Sequence, residues 1–165
     1  VNAFAKPERY SAQRLNEELR EDTSVFYRKF FVAVVDGVIV GGPEGFAYPT
    51  LWENKCLGSK SWRELQKHKL AVAKPVYAAQ IAVYQSYLTL HEHPALFTAV
   101  NADTMDIYAE LVPFDAALAQ RMSDRGVKVI AATEAGELLP RAYLDPTHFD
   151  CKFCAWQDRC WRTTP

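Results

Sequence analysis

Glu53 and Lys55 sit two residues apart in Leu51-Trp52-Glu53-Asn54-Lys55-Cys56. On a β-strand that spacing sends both side chains to one face. Asp36 lies in the run Phe31-Val-Ala-Val-Val-Asp-Gly-Val-Ile-Val40, whose β-branched residues read as the neighbouring strand. Two carboxylates and a lysine converging on adjacent strands suit a divalent cation and an activated water. They are the minimal set of groups for hydrolysing a phosphodiester. A carboxylate inside an apolar run also needs a partner, because burying it bare is costly, and a metal ion would supply one. The plainer reading of Glu53 and Lys55 is a solvated ion pair of little consequence. Gln80 and Tyr84 share a helix face at four-residue spacing, where the plainer reading is a core tyrosine beside a boundary glutamine.

A second constellation closes the chain. Cys151-Lys-Phe-Cys154-Ala-Trp-Gln-Asp-Arg-Cys160 has the spacing C-x2-C-x5-C. A free cysteine is normally a single small buried hydrophobe, so three thiols this close predict a shared metal centre. Spacing alone leaves iron–sulfur and zinc both open. The fourth position falls to Cys56, His148 or a residue absent from this chain. The chain opens at Val1 without an initiator methionine, which predicts an incomplete N-terminus and favours the absent residue. Cys56 follows Lys55 and so faces the opposite side of the strand, where a packing role is expected.

Local patterns supply the elements that must position these groups. Residues 10–21 predict a short polar helix capped by Ser11, and residues 25–33 and 34–40 predict strands. Gly41-Gly42-Pro43 turns the chain into a strand over 49–57. A helix is expected from about Ser61, with Glu64 as its capping-box partner. Pro75 opens another over about 75–90, with Ala78, Ile81, Ala82, Tyr84 and Leu88 on its apolar face. Strands follow over 95–100 and 106–112, and Asp115 caps a helix running to about Ala132. The tail from Pro140 reads as a loop. The order α-β-β-β-α-β with additions predicts an α/β fold, a mixed sheet flanked by helices. A single domain over 1–165 is expected, with its core over about 10–135 and the cysteine tail over about 140–165.

Bulk properties bound the function. At 165 residues and about half apolar, the chain is long enough for a real core. It carries no apolar run of membrane-spanning length and no signal-peptide pattern. Its cysteines fit metal ligands in a reducing cytoplasm better than a disulfide scaffold. The 19 basic and 20 acidic residues leave a net charge of −1, without the basic excess usual for nucleic-acid binding. Any such binding must come from a local patch. Lys60, Arg63, Lys67, Lys69 and Lys74, with His68 among them, are the candidates. They read either as a solvated helix face or as a surface that tracks phosphates.

The ordered set Asp36-Gly-Val-Ile, Glu53-Asn-Lys55 and Gln80-Ile-Ala-Val-Tyr84 resembles the PD-(D/E)XK nuclease superfamily. Within it the chain looks like the RecB-like branch of phage exonucleases and CRISPR-associated exonucleases. The resemblance covers roughly residues 30–100 and the cysteine tail. It implies a restriction-endonuclease-like core and a metal-dependent DNA exonuclease working in phage or bacterial recombination and repair, alongside other proteins of those processes. It further implies that Asp36, Glu53 and the Asn54 backbone carbonyl bind Mg2+ or Mn2+. Lys55 would orient the attacking water and stabilise charge on the phosphate, while Gln80 and Tyr84 support the site or touch the DNA backbone. Glu17 or Glu18 would add an acid from the first helix. Cys151, Cys154 and Cys160 would hold a 4Fe–4S cluster, with zinc as the alternative. The other reading is a catalytically silent, metal-stapled DNA-binding or scaffold domain of a larger repair complex. Intact Asp36, Glu53 and Lys55 favour the enzyme, since a scaffold has no need of all three.

Overall fold

Thr50–Leu57 (β2) alternates between a buried and a more open face. Leu51, Glu53 and Leu57 are buried while Trp52, Asn54 and Cys56 are not. The same period governs Ala95–Asn101 (β3), where Ala95, Phe97, Ala99 and Asn101 point inward. These two strands lie parallel at the centre of a four-stranded sheet. Gly37–Ile39 (β1) pairs antiparallel with β2, and Ile107–Val112 (β4) pairs antiparallel with β3. The sheet order is β1-β2-β3-β4. This is a computed structural model, and it describes residues 35–162. The helix expected over 10–21, the strand expected over 25–33, and Glu17 and Glu18 lie outside the described residues.

A parallel pair requires a crossover between its strands. Here it consists of Ser59–Ala73 (α1) and Pro75–Tyr87 (α2). The two helices pack together and cover the inward sheet face. Trp62, Leu65, Leu70, Ala78 and Ile81 meet Leu51, Phe97 and Ala99 in one core. Glu53 projects into this same layer.

α1 begins two residues earlier than expected, and its cap comes from elsewhere. Gly58 is the N-cap and contributes no side chain. Asp103, in the β3–β4 turn, instead accepts hydrogen bonds from the Ser59 backbone N–H at 3.1 Å and the Ser59 hydroxyl at 2.5 Å. A carboxylate is favourable at a helix N-terminus, and these bonds hold the Asp103 carboxyl below the usual range. The expected Ser61–Glu64 capping box does not form. Ser61 Oγ accepts from Lys74 Nζ at 2.9 Å, and Glu64 faces His68 at 3.5 Å.

α1 breaks at Lys69, whose φ of 65° and ψ of 168° leave the helical region. The Leu70 N–H is satisfied by Glu110 Oε2 of β4 at 3.0 Å. Tyr108 donates to the same oxygen, and burial followed by that bond raises the phenol far above its ordinary value. α2 starts on Pro75, whose ring suits the first helical position. It ends at Tyr87 rather than near residue 90, because Thr89 adopts a φ of 54°. Its buried side chains are Ala78, Ile81, Ala82 and Gln85, whereas Tyr84 is only partly buried.

Ala116–Ala135 (α3) is capped as expected by Asp115, whose Oδ1 accepts from the Leu118 N–H at 2.8 Å. The chain divides into two compact units, one up to Asp124 and one from Arg125. In the first, Tyr87 and Ser123 tie α2 to α3 through a 2.8 Å hydroxyl contact. In the second, the expected loop contains two short helices, Phe149–Lys152 (α4) and Gln157–Arg162 (α5). His148 Nδ1 accepts from the Asp150 N–H at 3.3 Å, and its ring stacks on Tyr143 at 3.7 Å between centroids. Arg141 donates to the Cys160 carbonyl at 3.0 Å, with its guanidinium over the Trp161 ring. Among the described residues, no helix is long and apolar enough to cross a membrane.

Candidate active site

Glu53 is 1% exposed, a carboxylate set among core side chains. Its Oε1 accepts from Lys55 Nζ and from Gln80 Nε2, the latter at 3.0 Å. Its Oε2 is buried and, among the described residues, has no hydrogen-bond partner. Such an atom forfeits its hydration for nothing in return unless something binds it. Burial pushes the Glu53 carboxyl up, with the neighbouring Asp36 charge adding to the rise and Lys55 and Gln80 opposing it. For Lys55, desolvation opposes the charged form, but the bond to Glu53 and the charges of Glu53 and Asp36 outweigh it and raise its pKa. Lys55 therefore stays an ammonium.

Asp36 immediately precedes β1. The pairing of Gly37 with Trp52, extended by one position, sets Asp36 opposite Glu53. Directly opposed residues of an antiparallel pair share a face. Asp36 is exposed, and its Oδ2 accepts from the Asn54 backbone N–H at 2.7 Å. That bond pins the carboxylate to the strand carrying Glu53. On the other face, the Asn54 side chain accepts from Thr98 Oγ1 at 2.8 Å, and Thr98 in turn accepts from Trp52 Nε1 at 2.9 Å. β2 is thus held on both sides around the expected site.

α2 supplies the remaining wall. Gln80 Nε2 donates to Glu53 and, at 3.0 Å, to the Tyr84 hydroxyl. An amide nitrogen has two protons, and both are engaged. In its bond with Gln80 the Tyr84 hydroxyl accepts. Tyr77, one turn ahead of Gln80, lies under Lys55, with Nζ 5.3 Å from the ring centroid. Its ring also stacks near Phe97 at 6.4 Å. The sequence reading missed Tyr77. Its three-residue spacing from Gln80 was the available signal, since Tyr77, Gln80 and Tyr84 line one helix face.

The first unit thus brings together Asp36, Glu53, Lys55, Gln80 and Tyr84. The free Glu53 Oε2 and the Asp36 carboxylate are hard oxygen donors of the kind Mg2+ or Mn2+ takes, so these residues fit a divalent ion. Among the described residues, no group of three or more His, Cys, Asp or Glu side chains is arranged as a metal site. Cys151, Cys154 and Cys160 are free thiols in the second unit, the first half-buried and the others exposed. Cys56 does face away from Lys55, but it is exposed rather than packed, because it lies on the open side of β2. Compared with known proteins, the chain matches no family model, no curated protein and no solved structure.

Gln80→Leu tests the hydrogen-bond frame. It removes a donor from buried Glu53 and from Tyr84 at once. Losing a partner to a buried acceptor costs roughly 1–3 kcal/mol. Urea unfolding in EDTA should show a loss of that size with an unchanged m-value.

Proposed function

We propose that this chain is a divalent-metal-dependent deoxyribonuclease of the PD-(D/E)XK type, hydrolysing DNA from its ends. The observation that carries the reading is Glu53: a buried carboxylate with one oxygen fixed by Lys55 and Gln80 and the other without a partner among the described residues, beside the acidic Asp36. An isolated structural ion pair would leave that second oxygen costly and without purpose. The mixed four-stranded sheet, with the acidic and E-x-K strands antiparallel and a parallel strand following the helices, supports the reading.

In this reading, Asp36 and Glu53 Oε2 hold Mg2+ or Mn2+, with the Asn54 carbonyl as a further oxygen. A divalent ion held there would supply Lewis acidity toward the phosphate. Lys55 offers its ammonium to the negative charge that grows on the phosphate oxygens during attack. The Tyr77 ring lies against that ammonium, its centroid 5.3 Å from Nζ. Gln80 fixes Glu53 so that its free oxygen keeps one direction, and Tyr84 donates its hydroxyl to a backbone phosphate. The cysteine triplet is assigned to a 4Fe–4S cluster or zinc that staples the tail. Work in phage or bacterial recombination and repair, within the cytoplasm and beside partner proteins, completes the proposal.

End-labelled linear duplex and covalently closed circular DNA of the same sequence, incubated with Mg2+, test it. Shortening of the linear molecule with the circle intact is expected. Equal nicking of both would contradict action from ends, and no cleavage of either would contradict the nuclease.

A further inference from the structure

We infer that the outward face of α1 is a nucleic-acid backbone site, formed by Lys60, Arg63 and Lys67. The inference rests on the nucleic-acid reading above but not on cleavage. Five basic residues follow β2 in the sequence, and the structure sorts them. Lys69 leaves the helical path at its positive φ, and its Nζ lies 5.7 Å from the centroid of the Tyr108 ring. Lys74 is tied to Ser61. Lys60, Arg63 and Lys67 remain, all exposed and all on the regular part of the helix. At about 100° per residue they fall within about 60° of arc. Trp62 and Leu65, which enter the core, lie on the opposite side.

The spacing fits a strand of phosphates. From Lys60 to Lys67 the helix rises about 10 Å, a length of duplex axis over which one strand presents about three phosphates, at about 3.4 Å of axial rise each. Two acids neighbour the stripe. Glu64, on the flank of the stripe, faces His68, and Asp103 at the helix start accepts from Ser59. Three cations aligned on a chain of net charge −1 make a local track for an extended polyanion rather than a general positive field.

Fluorescence anisotropy of a labelled duplex, with the full chain carrying Glu53→Gln and with EDTA present, tests the site without cleavage. The readout is the slope of log affinity against log salt. Neutralising Lys60, Arg63 and Lys67 together to glutamine should make the slope shallower by about 3, and each single change by about 1. Lys69→Gln should leave it unchanged. If the triple variant loses its fold by circular dichroism, the single variants decide. A slope that responds to Lys69→Gln but not to the stripe, or to neither, overturns the inference while leaving the nuclease reading to the cleavage assay. So does a parent protein that fails to bind DNA yet binds phosphatidylserine vesicles through the stripe, which would make the face a membrane contact.

Discussion

Lys55→Ala should lower the Mg2+-dependent cleavage rate by ~10²–10³ at saturating DNA, the cost of removing one preorganised stabiliser of transition-state charge. Lys55 is partly exposed, and its ammonium reaches both the buried Glu53 and the open side of the site. It is placed to meet charge that forms only during attack, so the loss should appear in kcat more than in KM. Truncation also removes a hydrogen bond from Glu53 Oε1, but Gln80 still donates to that oxygen, so circular dichroism should be unchanged. Lys55→Arg keeps the charge but not the compact donor, and should recover only part of the rate. Single-turnover cleavage within a few-fold of the unmodified protein would remove Lys55 from the mechanism.

Glu53→Gln should abolish the response to metal while stabilising the metal-free protein. Burial raises the Glu53 carboxyl pKa despite its partners, so ionising it costs the folded state stability. The sign follows from linkage. Below the unfolded-state pKa of about 4.3 the carboxyl is protonated in both states and the glutamine brings no advantage. As pH climbs through the raised folded-state pKa, the native protein in EDTA loses stability that the neutral amide keeps. The Tm of the variant in EDTA should therefore exceed that of the unmodified protein at neutral pH, and the gap should close toward pH 4. Excess Mn2+ should bind the folded form and raise its Tm by mass action. That rise should be present in the unmodified protein and missing in Glu53→Gln. A Tm gap of the opposite sign in EDTA would mean that the ion pair with Lys55 outweighs burial.

Strand parity made the site legible in the sequence. Because side chains alternate, Glu53 and Lys55 had to share a face, and the buried Leu51 and Leu57 fix that face as the inner one. The i,i+4 spacing gives only a shared helix face for Gln80 and Tyr84; their place at the site is an expectation from the family resemblance. Tyr77 escaped because a tyrosine at helical spacing reads as core, and only the position of Lys55 above its ring separates the two roles. The start of α1 was misplaced for a physical reason: its capping carboxylate comes from Asp103, 44 residues from Ser59, and local capping signals cannot report a partner supplied by the fold. The break at Lys69 depends likewise on Glu110 of β4 receiving the displaced Leu70 N–H. α4 and α5 are too short to show a period of their own, and His148 and Arg141 brace them through contacts that no periodicity encodes. Parity sets the face of Cys56 but does not say whether that face is covered.

We propose that Asp36 and Glu53 together hold the metal ion for DNA cleavage. Release of labelled nucleotides from linear DNA, followed in Mg2+ for the unmodified protein, Asp36→Asn and Glu53→Gln side by side, tests it most directly. Rapid release by the unmodified protein and release by either variant reduced at least ~10²-fold is the predicted result. Release by the variants at the unmodified rate, or none by any of the three, would contradict it.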